Sequence, residues 1–190
     1  MEEKPNQRVM LTRQLLKNSL VEMLRTERIY KISVRELCER AGINRSTFYK
    51  HYGSQMDVLL DLEEDMTEQV THALEQFPND YQKTIEALCR YLEQNLAIAR
   101  LLFNSGVDPE FPERLFALPA VRNALVCELQ SKDRQLDTDY LITFYIYGCF
   151  YSIRSWLNRE NREPPEQFAA ILAKTISQAK APNREDKETE

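Results

Sequence analysis

The residues from Ser33 to Tyr52 constrain the fold more than any other part of the chain. Ser33 and Glu36 have the S-x-x-E spacing of a capping box, in which two side chains bond to backbone N–H groups at a helix start. Gly42 follows at the position where a helix commonly ends in a left-handed turn. Asn44 is then a strong N-cap for another helix. The segment therefore predicts two short helices joined by a tight turn.

Neither of these helices reaches the ~12–15 residues that an isolated helix needs, so another helix must supply the core. The stretch from about Met10 to Arg25 fits this need, because its apolar residues recur at three- and four-residue steps. This stripe consists of Leu16, Leu20, Met23 and Leu24. The three helices together predict a helix-turn-helix module, whose last helix enters the major groove of DNA.

The rest of the chain is also predicted to be helical, because it shows no sustained apolar/polar alternation and the whole chain has only 4 Gly and 8 Pro. We expect helices at about 54–76, 81–95, 96–104, 138–158 and 165–180. One more follows the loop at Pro109 and Pro112, is interrupted near Pro119 and continues to about residue 132. The predicted class is all-α, with about nine helices. The predicted domains are a helix-turn-helix domain at 1–53, a helical domain at 54–180 and a disordered tail at 181–190.

The charge is distributed unevenly along the chain. Residues 8–52 hold ten Lys or Arg against four Glu, which leaves a local charge of +6 within a net charge of −5. A basic segment within an otherwise acidic chain is typical of a protein that binds nucleic-acid phosphates through one small surface.

The composition and the motifs of the sequence argue against several other classes of protein. No apolar run reaches the ~20 residues that span a bilayer, and the first residues are polar, so we expect no membrane contact, no signal peptide and a cytoplasmic location. None of the four cysteines has zinc-ligand spacing, so we expect reduced, mostly buried thiols and no metal or other cofactor. An enzyme is not favoured, because the chain has two His residues and no nucleophile elbow or phosphate-binding loop. The acidic run Glu63-Glu64-Asp65 is predicted to be solvated.

Helical geometry sorts the side chains of the third helix. Since each residue turns by about 100°, inward-facing Phe48 and Tyr52 place Ser46 and Lys50 outward. Arg45 lies in the first turn, which meets base edges, and its guanidinium matches guanine O6/N7, a contact worth about 1–3 kcal/mol of discrimination. Donors for phosphate oxygens are Thr47, Tyr49, Lys50 and His51, together with Asn44 and the helix N-terminus.

At this point the stretch Ile32–Tyr52 resembles the DNA-binding signature of the TetR family of bacterial transcription regulators, in register and without a gap. The resemblance implies that Arg35 and Arg45 to Thr47 read bases and that Tyr49 and His51 hold phosphates. The predicted DNA-binding set is Ser33, Val34, Arg35, Asn44, Arg45, Ser46, Thr47, Tyr49, Lys50 and His51. Two positions depart from the family: Ser46 stands where Gly or Pro is frequent, and Gln55 stands where a phosphate-binding Lys is common. Lys50 is a candidate replacement for that Lys.

The segment Tyr140–Leu157 is apolar nearly all round, so it must be covered on both sides. We expect its own domain on one side and a second subunit on the other, with the last helix completing an isologous four-helix interface. The alternative is a central, fully buried helix of a monomer. The TetR family dimerises in the former way. The predicted interface residues are Phe144, Tyr145, Gly148, Ser152, Trp156, Phe168, Leu172 and Ile176.

The resemblance further implies that the body of the protein senses a ligand. The candidate pocket residues are Tyr91, Phe103, Phe116, Tyr147 and Tyr151, although aromatic residues at helical spacing are also typical of a plain core. The predicted function is a ligand-responsive repressor, a homodimer on a palindromic double-stranded DNA operator, with an unidentified small-molecule effector acting through a tilt of the fourth helix. The alternatives are an activator or co-activator of the same fold, and a helical ligand- or protein-binding module without DNA binding.

Overall fold

The computed structural model describes residues 7–77, 80–104, 107–123 and 138–178. Nine α-helices have defined bounds in these ranges: α1 Gln7–Met23, α2 Val34–Ala41, α3 Arg45–Phe48, α4 Gln55–Glu75, α5 Tyr81–Gln94, α6 Leu96–Phe103, α7 Phe111–Phe116, α8 Thr138–Asn158 and α9 Pro165–Gln178. Residues 119–123 are helical as well, and a 3-10 turn at Ile29–Lys31 lies between α1 and α2. These ranges contain no β-strand, and the all-α class is confirmed.

Most helix bounds lie close to those predicted, and two differences have simple causes. The 3-10 turn was not predicted; it buries Ile29 and leads to the buried Ile32, which anchor the chain between α1 and α2. Pro112 lies inside α7 rather than in the loop before it. Its missing N–H has no intrahelical partner in a first turn, so Pro is tolerated there. The predicted helical stretch 124–132 and the predicted tail 181–190 lie outside the described residues.

The chain divides into two compact units, one of residues 1–69 and 97–112 and the other of residues 70–96 and 113–190. Residues 55–69 of α4 therefore group with α1, α2 and α3. The domain boundary between residues 53 and 54 stays a prediction.

The core of the first unit is built by α1 packed on α2, and α2 packed on α3. Its fully buried side chains include Leu16, Leu20, Leu37, Phe48, Val58 and Leu59. Burying a side chain of this size stabilises the fold by about 1.5–3 kcal/mol, so the short α2 and α3 depend on the apolar stripe of α1. This is the arrangement that the three-helix argument predicted.

In the second unit, α9 packs on both α5 and α8. Trp156 secures the turn between α8 and α9, because its indole N–H donates to the carbonyl of Glu163 at 2.8 Å and its ring stacks on Phe168 with centroids 5.0 Å apart. The guanidinium of Arg162 lies 5.7 Å from the Trp156 ring centroid and bonds to the Glu93 carboxylate on α5 at 3.1 Å.

These contacts involve four of the eight predicted interface residues. Trp156, Phe168, Leu172 and Ile176 are all buried within the subunit. They pack into the subunit's own core and leave little side-chain surface for a partner. A helix that is apolar all round does not reveal which of its faces its own domain covers, and the dimer interface stays a prediction.

The described cysteine side chains are buried or half-buried. Cys38 and Cys89 are buried, and burial raises the pKa of Cys89 to about 12 and that of the half-buried Cys149 to about 11, so both thiols are protonated and poorly nucleophilic at neutral pH. Across the described residues, no helix combines the length and the apolar character that a membrane crossing requires.

Candidate nucleic-acid interface

The start of α2 is closed by a reciprocal pair of hydrogen bonds. The backbone N–H of Glu36 donates to Ser33 Oγ at 3.2 Å, and the backbone N–H of Ser33 donates to the Glu36 carboxylate at 3.0 Å. Hydrogen bonds from the Ser33 hydroxyl and backbone lower the pKa of Glu36, which is fully exposed. At the other end Gly42 adopts φ +66°, a left-handed conformation that side chains disfavour. The capping box and the glycine turn are confirmed.

Asn44 then begins α3, because its side-chain oxygen accepts from the backbone N–H of Ser46 at 3.2 Å. The α-helix proper ends at Phe48, and the chain continues as tighter turns, in which the Lys50 N–H donates to the Thr47 carbonyl at 3.2 Å and the His51 N–H donates to the Phe48 carbonyl at 2.9 Å. The predicted third helix is thus one α-helical turn extended by tighter turns. We call residues Arg45–Tyr52 the recognition segment.

The recognition segment has a buried face and an exposed face. Phe48 is fully buried and Tyr52 is 6% exposed, with ring centroids 5.8 Å apart, as the inward assignment predicted. The exposed side chains are Arg45, Ser46, Tyr49 and Lys50, while Thr47 and His51 are half-buried. The structure therefore brings the predicted base readers and phosphate donors of this segment onto one short surface. Their contacts with DNA stay a prediction.

Next to this segment, α2 contributes Arg35. Its guanidinium is exposed and pairs with the Glu39 carboxylate one turn later, at 2.8 Å. An i,i+4 pair this exposed is screened by solvent and contributes little to stability, so Arg35 can exchange it for a base or phosphate contact. Val34 is half-buried and Ser33 serves the cap, so within the free protein both have structural roles.

A second capping arrangement begins α4 and was not predicted. The Asp57 N–H donates to Ser54 Oγ at 3.3 Å, while the Asp57 carboxylate accepts from the Ser54 hydroxyl at 2.8 Å and the Gly53 N–H at 2.7 Å. These hydrogen bonds lower the pKa of Asp57. The S-x-x-D spacing of Ser54 and Asp57 is the sequence signal for it. Gln55 lies half-buried in the first turn of α4.

An ionic cluster centred on the buried Asp61 joins the recognition segment to α1 and α4. Asp61 on α4 accepts from the Tyr52 hydroxyl, from Arg13 Nε at 3.1 Å and from Lys17 Nζ at 2.9 Å. Burial alone raises the pKa of Asp61, but the hydrogen bonds from these three donors hold it below its ordinary value. We call these four residues the Asp61 cluster.

This cluster was not predicted from the sequence. The signal for it was two cations four residues apart on α1, Arg13 and Lys17, opposite two carboxylates four residues apart on α4, Asp61 and Asp65. The same helix corrects another prediction, because Glu63 is buried while Glu64 and Asp65 are exposed. The acidic run is therefore not uniformly solvated.

The predicted pocket residues occupy different environments. Tyr91 is half-buried and lines a groove of about 400 Å³ along α5, together with Phe77, Lys83 and Arg90. Phe103 is buried in the first unit. Tyr147 and Tyr151 are exposed on α8, and the side chain of Phe116 lies outside the described residues. The groove thus contains one of the five, and the effector pocket stays a prediction.

The outward face of α8 carries an aromatic stripe. Its members recur at steps of four, three and four residues, which places them on one side of the helix. We call this set the outer stripe: Tyr140, Phe144, Tyr147 and Tyr151. Gly148 is exposed beside it, and an added Cβ there meets no atom within 4 Å. Of the predicted interface residues, Phe144 and Gly148 are exposed, and Tyr145 and Ser152 are half-buried.

Comparison with known proteins gives a consistent result. Residues 79–178 match a family model, TetR_C_8, described as a transcriptional regulator C-terminal region. The chain is 22% identical over 171 residues to an uncharacterized HTH-type transcriptional regulator, YxbF, of Bacillus subtilis. That alignment covers 86% of this chain and 44% of the relative, so the chain spans less than half the length of the curated relative it matches.

Solved structures share the fold. A TetR transcriptional regulator from Streptococcus agalactiae aligns with a TM-score of 0.68 at 22% identity, over 90% of this chain and 96% of the other. The dihydroxyacetone kinase operon activator DhaS aligns with a TM-score of 0.62 at 17% identity, over 90% of this chain and 97% of the other.

Proposed function

We propose that this chain, which belongs to the TetR family of transcriptional regulators, represses transcription by binding a palindromic operator as a homodimer. The observation that carries the proposal is the two-faced recognition segment, in which Phe48 and Tyr52 are buried while Arg45, Ser46 and Lys50 face solvent. Because the inner face is held by the core, the outer side chains are presented in a defined order to a DNA groove.

In this proposal the exposed side chains divide into two roles. Arg45, at the N-terminal end of the segment, reads a guanine edge through two parallel N–H donors. Arg35 on α2 reaches the same groove after releasing Glu39. Tyr49, Lys50 and His51 donate to phosphate oxygens, which sets the register of the protein on the duplex.

The homodimer is supported by the outer stripe. Phe144 is 70% exposed and Tyr140 is 76% exposed, and aromatic surface of this extent is typical of an interface. A second copy covering the stripe gives the dimer two recognition segments, and helix-turn-helix dimers read half-sites about one helical turn apart, or a multiple of it. Occupancy of a promoter by such a dimer excludes the polymerase.

A small-molecule effector completes the proposal. An effector releases the operator only if it binds the released conformation more tightly than the DNA-bound one. The groove beside α5 is one place to look for it, because Tyr91 and Phe77 supply apolar surface next to the cations of Lys83 and Arg90. Loss of operator binding on addition of a candidate compound is the corresponding measurement.

Activation is the second candidate for the sign of regulation. The fold also serves an operon activator, DhaS, so the fold does not imply repression. Transcription in vitro from the selected operator, with and without the protein, distinguishes the two: less transcript supports repression, and more transcript replaces it with activation.

DNA binding itself is tested by selection from random duplexes, followed by Arg45→Ala. We expect a preferred inverted repeat, and a loss of about tenfold or more in affinity for Arg45→Ala, because a bidentate Arg–guanine contact is worth about 1–3 kcal/mol. Arg25→Ala is the matched control, since Arg25 is an exposed cation near the end of α1 that pairs with Glu22 at 3.2 Å. Selection that yields no preferred duplex contradicts the proposal.

A further inference from the structure

We propose that Tyr52 and Asp61 are positioning residues for DNA reading, whose hydrogen bond fixes the end of the recognition segment on α4. This inference rests on the proposed operator binding. It assigns a role in specificity to two residues that do not themselves face DNA, because Tyr52 and Asp61 are only 6% and 7% exposed.

The geometry begins with Tyr52, the last residue of the recognition segment. Its ring packs against Phe48, and its backbone N–H bonds to the Phe48 carbonyl at 3.0 Å. Its hydroxyl extends beyond this apolar contact and donates to Asp61 on α4. The segment is therefore tied to α4 by a directional bond as well as by apolar packing.

The acceptor is itself held in place. Arg13 and Lys17, one turn apart on α1, both donate to the Asp61 carboxylate, and the two cations use both of its oxygens. Arg13 also approaches the Tyr52 hydroxyl oxygen at 3.3 Å. A carboxylate with this many partners cannot rotate without breaking one of them, and hydrogen bonds in such a low-dielectric site are stronger than in water. Tyr52 thus meets an acceptor of fixed orientation.

The Tyr52–Asp61 hydrogen bond differs from the other core contacts of the recognition segment because it is directional. Burial of Phe48 and Leu59 holds the segment against the core but is non-directional, so it tolerates a small rotation. Base recognition does not tolerate a small rotation of the segment, because a bidentate guanidinium contact requires two aligned donors. Non-specific binding to phosphates is less demanding, because it depends mainly on charge. Loss of the Tyr52 hydroxyl should therefore weaken specific binding more than non-specific binding.

The test compares Tyr52→Phe with the matched control Tyr30→Phe. The first change removes the buried hydroxyl and keeps the ring, while the second removes an exposed hydroxyl that accepts from Arg28 in the same unit. Fluorescence anisotropy at fixed salt gives the affinities for the selected operator and for an unrelated duplex. We expect about five- to tenfold weaker operator binding by Tyr52→Phe, unchanged binding to the unrelated duplex, and no effect of Tyr30→Phe. Equal losses on both duplexes, or no loss, overturn the inference.

A double-mutant cycle supplies the second measurement. Asp61→Asn and Tyr52→Phe disturb the same hydrogen bond, so the double variant should bind the operator about as weakly as Asp61→Asn alone. Additive losses contradict the inference. If Asp61→Asn fails to fold, amide hydrogen exchange in Tyr52→Phe replaces it: residues 49–52 should exchange faster than in the wild type, while α2 stays protected. Unchanged exchange overturns the inference even if the wild type selects no duplex, so its failure and that of the proposed function remain distinguishable.

Discussion

Gln55 lies in the first turn of α4, half-buried, beside the Ser54/Asp57 cap. The family resemblance implies a phosphate-binding Lys at this position, and Gln offers a neutral amide instead of a cation. In the proposed complex, a DNA phosphate near this helix start meets an uncharged side chain beside the Asp57 carboxylate, which already accepts from the Gly53 N–H. The position is a natural place to add a single phosphate contact.

We expect Gln55→Lys to strengthen DNA binding several-fold at low salt. One added phosphate contact releases about one counterion, so the slope of log K against log salt should steepen by about 0.9. Gln69→Lys is the control, because it adds the same charge to an exposed site in α4, about 20 Å further along the helix axis. An identical salt dependence for wild type and Gln55→Lys shows that no phosphate reaches this residue.

The helix α2 has only eight residues, so its ends matter as much as its packing. The Ser33/Glu36 box satisfies orphan N–H groups at one end and Gly42 closes the other. Glu36 has a lowered pKa in the folded chain, so its contribution to stability is present above its unfolded pKa and is lost as the pH falls through the folded value.

Ser33→Ala removes one side of this box. We expect the free energy of unfolding to fall by about 1 kcal/mol in urea titrations, the usual cost of losing a Ser N-cap. The pKa of Glu36, followed by NMR, should rise toward its ordinary value because its hydroxyl partner is gone. Ser19→Ala, inside α1, is the control and should leave the stability unchanged or slightly raised. A Glu36 pKa that does not move contradicts the role of this hydrogen bond.

For the whole molecule, the outer stripe on α8 is the surface that the proposed dimer must cover. Phe144 is its central candidate, because it is exposed, aromatic and set one turn from Gly148. Aromatic anchors of this kind carry much of the binding energy at interfaces.

We expect the wild type to sediment as a dimer and Phe144→Glu to weaken dimerisation about tenfold or more, because a charge is placed in an apolar contact. Operator affinity should fall with it, since each subunit then reads a single half-site. Leu60→Glu is the control, because it adds the same charge at an exposed leucine on α4. A Phe144→Glu protein that remains dimeric places the interface elsewhere.

The local features of the DNA-binding module could be predicted from the amino-acid sequence. The Ser33/Glu36 box, the Gly42 turn and the Asn44 cap depend on hydrogen bonds between residues only a few positions apart. Given inward-facing Phe48 and Tyr52, helical periodicity predicts that Ser46 and Lys50 are exposed, as they are. Geometry that depends on residues so close in sequence can be predicted without knowledge of the fold.

Which helix faces are buried, and which charged side chains form ion pairs, depended on the packing of the helices against one another. The apolar pattern of α8 did not distinguish its two sides, and packing on α9 buried Trp156 and Phe168 while it left Phe144 exposed. The Asp61 cluster joins α1 to residues far along the chain, and the burial of Glu63 likewise depends on what covers α4. Such pairings are decided by the packing of distant helices. The sequence around a carboxylate on a helix surface does not show whether water or a cation will face it.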